Sequence, residues 1–310
     1  MSQRLLVSLD LTEMDPVLLR YAGFLARTLR PAHVYFMHAV EIDPERHSLR
    51  DVLPDQEMPL EDLIREEIQQ QVHQYFMGPD DQKTSIHLLS GDATLNILKW
   101  ANSEMVDLIL MGKKTRFRGN GIYGGKIVRL SQTGVMFVPE SSRNQIDKIL
   151  VPVDFSSYSV MALRYALDLA ERLGAEVSCQ HVYQLPVSYF PVIRDQQEVR
   201  DEARKQADRE YRRFLKAFDL TPEQVPCYYS IEDGQGIAHH IYTHAISLQP
   251  DLMVVGSKGR TDAAALLLGS VAEQLMQDDQ QIPMIVVKHR EKTKGLLDML
   301  LGRSAAKSTR

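Results

Sequence analysis

Short apolar runs alternate with longer stretches of helical spacing along the whole chain. In the second half, residues 149–153 (Ile, Leu, Val, Pro, Val) form a compact apolar run and are predicted to be a buried strand. Residues 157–173 have helical spacing and stop at Gly174, a residue suited to ending a helix. Residues 176–183 read as a second strand and the highly charged residues 195–218 as a helix. Strands at 225–231, 251–255 and 283–288 then alternate with helices at 236–248 and 270–278. Short apolar strands joined by helices imply a mainly parallel sheet covered on both faces. Ligands in such sheets bind beyond the carboxyl ends of the strands, near the point where strand order reverses.

The chain also resembles itself. Leu19, Arg20, Tyr21 and Ala22 recur as Leu163, Arg164, Tyr165 and Ala166, an offset of 144. The same offset relates Asp10 to Asp154, Asp107 to Asp251, Gly112 to Gly256 and Gly125 to Gly269. A constant offset over more than a hundred residues means two copies of one unit. The expected domains are residues 1–140 and 146–290, joined by a polar linker over 139–145 and followed by a tail, 291–310.

Composition narrows the class. The 310 residues are 44% apolar and 25% charged, enough to build sizeable cores. A formal net charge of −5 argues against a nucleic-acid binder. Two cysteines, Cys179 and Cys227, exclude a disulfide scaffold and fit a reducing compartment. The first ten residues show no basic region followed by a long apolar one, and no apolar run reaches the roughly 18–20 residues of a membrane helix. A cytoplasmic protein without membrane association is expected.

The candidate chemistry lies after the fourth strand of the second copy. Gly256 and Gly259 are followed, nine residues on, by Gly269 and Ser270. Glycines permit positive φ and let the backbone approach an anion closely. Successive N–H groups in such a turn form an anion-binding nest. Gly269 and Ser270 open a helix, whose first N–H groups are unpaired and favour negative charge. Lys258 and Arg260 add positive charge. A plainer reading stays open: Ser270 with Glu273 spells a capping box, and the glycines suit a tight turn. Asp154 similarly reads either as a ligand contact or as a turn residue before the helix at 157.

The glycine–serine set, together with Lys148 to Ser156, His181–Val182 and Asp251 to Gly259, resembles the ATP-binding branch of the universal stress protein family. The resemblance covers nearly all of residues 1–289 as a tandem pair. It implies an α/β fold of two doubly wound, five-stranded parallel-sheet domains, adenine nucleotide α-hydrolase-like, with strand order 3-2-1-4-5. It implies ATP with Mg or Mn as the cofactor. Asp154 would lie near the ribose or a phosphate-bound metal, and Val182 would meet adenine through its backbone. Gly256 and Gly259 would line the ribose and phosphates, and Gly269 and Ser270 would hold the terminal phosphates. No metal ligand is assigned. The resemblance also implies a pseudo-dimer of the two copies through their fifth strands, near 135–138 and 283–288, with a homodimer of chains and an unidentified protein partner as further partners.

The first copy departs from this pattern. Thr115 stands where Gly259 is matched, and Lys126 where Ser270 is matched. Its loop, residues 112–126, carries five basic residues and no acid, so an anion, a carboxylate elsewhere in the chain or a partner is expected to neutralise it. Gly119, Gly121 and Gly124 match a dinucleotide fingerprint but lie far from the first βα turn where that fingerprint acts. His240 and His244 sit one helical turn apart without the further ligands of a zinc site. No nucleophile elbow is present and no catalytic residue is assigned. The tail carries five large apolar residues in positions 296–301 between basic flanks and reads as a segment that packs or docks. The resulting reading is an ATP-binding stress-response or regulatory protein with one competent site, hydrolysing nucleotide slowly if at all. A non-nucleotide interaction scaffold and a slow ATPase are the alternatives.

Overall fold

The computed structural model describes residues 3–40, 59–114, 122–185, 196–259, 268–278 and 281–288. The central part of the basic loop, Arg260 and the tail lie outside these residues. The chain divides into two compact units at Asn144 and Gln145.

In the first unit the elements run β1 (Arg4–Leu9), α1 (Asp15–Leu29), β2 (His33–Val40), α2 (Leu60–Tyr75), β3 (Thr84–Ser90), α3 (Ala93–Ser103), β4 (Leu108–Lys113), α4 (Ile122–Leu130) and β5 (Gly134–Pro139). Its sheet is entirely parallel, in the order β3-β2-β1-β4-β5. In the second unit β6 (Lys148–Pro152), α5 (Ser157–Leu173), β7 (Glu176–Tyr183), α6 (Gln196–Leu215), β8 (Cys227–Ile231), α7 (Ile237–Leu248), β9 (Leu252–Gly256), α8 (Ser270–Asp278) and β10 (Met284–Val287) repeat the plan. A 3₁₀ turn, Lys216–Phe218, ends the charged helix. The second sheet is again parallel, in the order β8-β7-β6-β9-β10. Both units are therefore doubly wound with strand order 3-2-1-4-5.

Central strands buried on both faces must be apolar almost throughout, which is why these segments lack alternation. Ile149, Leu150 and Val151 of β6, Met253 and Val254 of β9 and Val286 of β10 are all buried. α5 packs on β6 and β9, and α7 packs beside α8. In each unit the first strand pairs with both the second and the fourth, so strand order reverses between β1 and β4 and between β6 and β9. At that reversal the connections leave in opposite directions and open a crevice.

The helix stops show which local signals the sequence carries. Gly174 caps α5 at φ +69°, the left-handed conformation expected of it. Arg30 and Gln249 cap α1 and α7 in the same conformation without glycine's freedom. A Cβ on Gly174 would meet nothing within 4 Å among the described residues, so substitution there carries a conformational cost alone. Gly174→Ala is expected to destabilise the second unit by about 1 kcal/mol. Chemical denaturation reads this out; an unchanged midpoint would show that the cap contributes nothing.

Candidate functional site

At the carboxyl edge of the second sheet, β6 delivers Asp154 and β9 delivers the glycine turn. Asp154 Oδ1 accepts hydrogen bonds from Ser156 N–H at 3.0 Å and from the Ser159 hydroxyl at 2.6 Å. Asp154 N–H in turn donates to Ser159 Oγ at 2.9 Å. Ser156 caps α5, accepting from Ser159 N–H. One carboxylate oxygen thus serves the turn before α5. The other, Oδ2, faces Gly259.

The next residue, Phe155, takes φ +65°, a strained conformation for a bulky side chain. Its ring is held by His181, with centroids 4.3 Å apart, and by Phe214 at 5.5 Å. His181 is buried and its Nδ1 lies 2.8 Å from the Val153 carbonyl oxygen. A carbonyl only accepts, so Nδ1 carries the hydrogen. The first unit repeats both features: Leu11 takes φ +56°, and His38 Nδ1 lies 3.1 Å from the Leu9 carbonyl oxygen.

The three glycines of the motif come together from both ends of a loop. A Cβ on Gly256 would stand 3.0 Å from the Cβ and the carbonyl oxygen of Tyr158 in the first turn of α5. A Cβ on Gly259 would stand 2.9 Å from Asp154 Oδ2. A Cβ on Gly269 would stand 3.0 Å from Lys258 Cα and 3.4 Å from the Ser257 carbonyl oxygen. Gly269 N–H donates to that carbonyl at 2.8 Å, and Ser257 N–H donates to Val287 O at 3.1 Å. Positive φ is not the reason for these glycines. Among the described glycines it occurs at 91, 174, 234 and 236, not at 256, 259 or 269. Space is the reason: Gly256 lies against the Tyr158 backbone, Gly269 against the Ser257–Lys258 backbone and Gly259 against the Asp154 carboxylate. Ser270 is the first residue of α8, with Gly269 before it, so the helix starts one residue earlier than a capping box at Ser270 requires.

These groups border a cavity of about 1200 Å³. Asp154, Val182, Gly256, Gly259, Gly269 and Ser270 all line it, and the structure therefore brings the whole sequence-derived set around one space. Val182 stands past the last β6–β7 ladder pair, Pro152 with Gln180, so its backbone lies at the open edge. Lys258 supplies a cation, and Ile237 and Ile241 of α7 with Ala203 and Ala207 of α6 supply apolar lining. Ser159 and Gln180 also line the cavity. Neither stands out in the sequence, because their importance comes from what folds against them.

In the first unit the equivalent corner holds an ion pair. Lys114, the counterpart of Lys258, pairs with Asp10 Oδ2. Asp10 Oδ1 accepts from the Thr12 hydroxyl at 2.6 Å. Where the second unit has Ser159, the first has Asp15, buried and accepting from Asp10 N–H at 3.1 Å and Leu11 N–H at 2.8 Å. Burial pushes the Asp15 carboxyl up to about 7, aided by the Asp10 carboxylate and opposed by those N–H groups. A chain carboxylate therefore neutralises one lysine of the basic loop.

The helical histidines and the two cysteines have local roles. His240 Nε2 lies 3.0 Å from Asp233 Oδ1, and His244 packs on Tyr228. Glu232, Asp233 and His240 are the group whose ligand atoms cluster among the described residues. Glu232 Oε1 already accepts from Gly234 and Gly236 N–H, which closes the turn before α7. Cys179 and Cys227 are register partners on β7 and β8, and both thiols are free. Burial pushes the Cys179 thiol up to about 12, away from thiolate chemistry. Among the described residues no helix is long and apolar enough to cross a membrane.

Two parallel 3-2-1-4-5 sheets, one with a glycine-turn cavity at its switch point, define a tandem, doubly wound α/β protein. The profile of the universal stress protein family matches residues 1–133 and 145–288, and the chain belongs to that family as a tandem pair. It is similar to universal stress protein MJ0531 of Methanocaldococcus jannaschii, 30% identical over 155 residues, covering 49% of this chain and 88% of that one. It is similar to universal stress protein YxiE of Bacillus subtilis, 30% identical over 147 residues, covering 46% and 99%. Two full-length solved structures share the fold. Protein PA1789 of Pseudomonas aeruginosa PAO1 has TM-score 0.65, 17% identity and coverage of 97% and 98%. A universal stress protein of Archaeoglobus fulgidus has TM-score 0.63, 18% identity and coverage of 93% and 99%.

The carboxyl pair of the first unit has a pH signature. Because Asp15 binds its proton more tightly folded than unfolded, its contribution to stability is full below about pH 4 and is lost as pH rises to about 7. Asp15→Ser, which copies the second unit, is expected to gain thermal stability relative to wild type steadily across that window. A difference between the two proteins that stays constant with pH would contradict this.

Proposed function

We propose that the second unit binds ATP together with a divalent metal, and that the nucleotide acts as a conformational ligand of a stress-response regulatory protein. The observation that carries this reading is the convergence of Gly256, Gly259 and Gly269 beside Asp154 and Lys258 at the mouth of one cavity. A backbone turn without Cβ atoms next to a helix N-terminus and a lysine suits phosphate oxygens. The apolar lining and the Val182 backbone suit a base. Asp154 would hold the metal, which when bound would offset phosphate charge. No general base or arginine finger is assigned among these residues, in keeping with slow hydrolysis or none. In the first unit Thr115 and Lys126 replace two motif positions and a second carboxylate, Asp15, is buried beside Asp10, which supports one nucleotide per chain.

Calorimetric titration with ATP and Mg²⁺ tests this. A stoichiometry of one per chain is expected. Gly259→Val and Gly269→Val are each expected to weaken binding more than tenfold, because the new side chains meet Asp154 and the Ser257–Lys258 backbone. Unchanged affinity in folded variants, or a stoichiometry of two, would overturn the assignment.

Binding is also expected to take up protons. Burial, reinforced by Lys258, lowers Lys288 to about 8. A polyanion beside Lys258 favours the charged form of Lys288. Affinity should therefore fall as pH rises through about 8 to 9. The measured heat at pH 8.5 should vary with the ionisation enthalpy of the buffer, and Lys288→Met should abolish that variation. Buffer-independent heats in the wild type would exclude the coupling.

A further inference from the structure

Resting on the nucleotide reading, we infer that Gln180 selects the base by accepting a hydrogen bond from the exocyclic amine of adenine. Gln180 sits in the middle of β7, is fully buried and lines the cavity. Its Nε2 donates to the His240 carbonyl oxygen at 3.0 Å and lies 3.4 Å from Ser230 Oγ. The carbonyl can only accept, so the amide cannot be turned round without setting two oxygens against each other. Gln180 Oε1 is therefore fixed as an acceptor, and it is buried with no hydrogen-bond partner among the described residues. An orphaned buried acceptor is destabilising, and native proteins retain few of them.

The fold does not require a polar residue here. The histidine that bonds the first-strand carbonyl is His181 in the second unit and His38 in the first. The residue before His38 is Met37, fully buried and apolar. The same structural position is thus filled by a thioether in the first unit and by an amide in the second, where it lines the cavity. Gln180 is followed two residues on by Val182, which lies on the same face of β7 and lines the same cavity. The acceptor and the backbone proposed to meet the base are therefore neighbours. A donor supplied by the ligand satisfies Oε1; an oxygen at that place on the base leaves two acceptors opposed.

The test compares three triphosphates that differ at one position of the purine: ATP, purine riboside triphosphate with hydrogen there, and ITP with oxygen there. Each is titrated with Mg²⁺ into wild type, Gln180→Met and Gln180→Leu, with circular dichroism confirming that the variants are folded. Wild type is expected to bind ATP roughly tenfold tighter than either analogue, the size of one hydrogen bond plus relief of one buried orphan. Both variants are expected to bind the three ligands within about threefold of one another, because only the amine contact is lost. If wild type binds all three equally, or if the variants keep the preference for ATP, Gln180 does not read the base and the inference falls while the nucleotide site stands. If wild type binds none of the three, the nucleotide reading falls and the inference falls with it.

Discussion

Close contact between the turn after β9 and the start of α5 governs the candidate site. Gly256 lies tightly against the Tyr158 backbone, and Gly259 faces the Asp154 carboxylate. Gly269 closes the far end of the loop onto Ser257 and Lys258. Three absent side chains thereby bring the first strand, the fourth strand and the N-terminus of α8 to one point. A larger residue at 256 or 269 pushes backbone from backbone, one at 259 displaces the Asp154 carboxylate, and the cavity mouth changes shape.

The two units show the same scaffold with two different fillings. Strand order, the strained residue after the first-strand aspartate and the histidine bonded to the first-strand carbonyl recur in both. Scaffold features follow from packing, so both copies retain them. The corner between the first and fourth strands differs. In one unit a lysine is drawn onto an aspartate with a second carboxylate buried beside it. In the other a serine holds the aspartate, and the corresponding lysine lines a cavity. A duplicated fold can fill the same corner with different side chains without any change of topology.

Much of this is legible in the sequence. The apolar runs and the repeat carry the fold, because a parallel sheet buried on both faces leaves uninterrupted Val, Ile and Leu segments. The glycine spacing carries the site, because its members are close along the chain. Helix ends are legible where glycine marks them, as at Gly174, and not where Arg30 or Gln249 takes the left-handed turn. Glycine itself misleads in one respect: at 256, 259 and 269 it is selected for space and not for positive φ. Ser159, Gln180 and Asp15 are not legible at all, and for Lys114 the basic loop shows the need for a counter-charge but not which group supplies it. Their partners lie on other elements or across a turn, and only folding shows that Gln180 meets α7 or that Lys114 turns onto Asp10.

The central claim is that the second unit, and not the first, holds a nucleotide at its glycine turn. Amide hydrogen exchange followed by mass spectrometry, with and without ATP and Mg²⁺, tests it most directly. Protection is expected at 256–259 and at the start of α8, with further slowing at 180–183 and no change at 10–15 or 112–114. Protection confined to the first unit, or none in either, would contradict it.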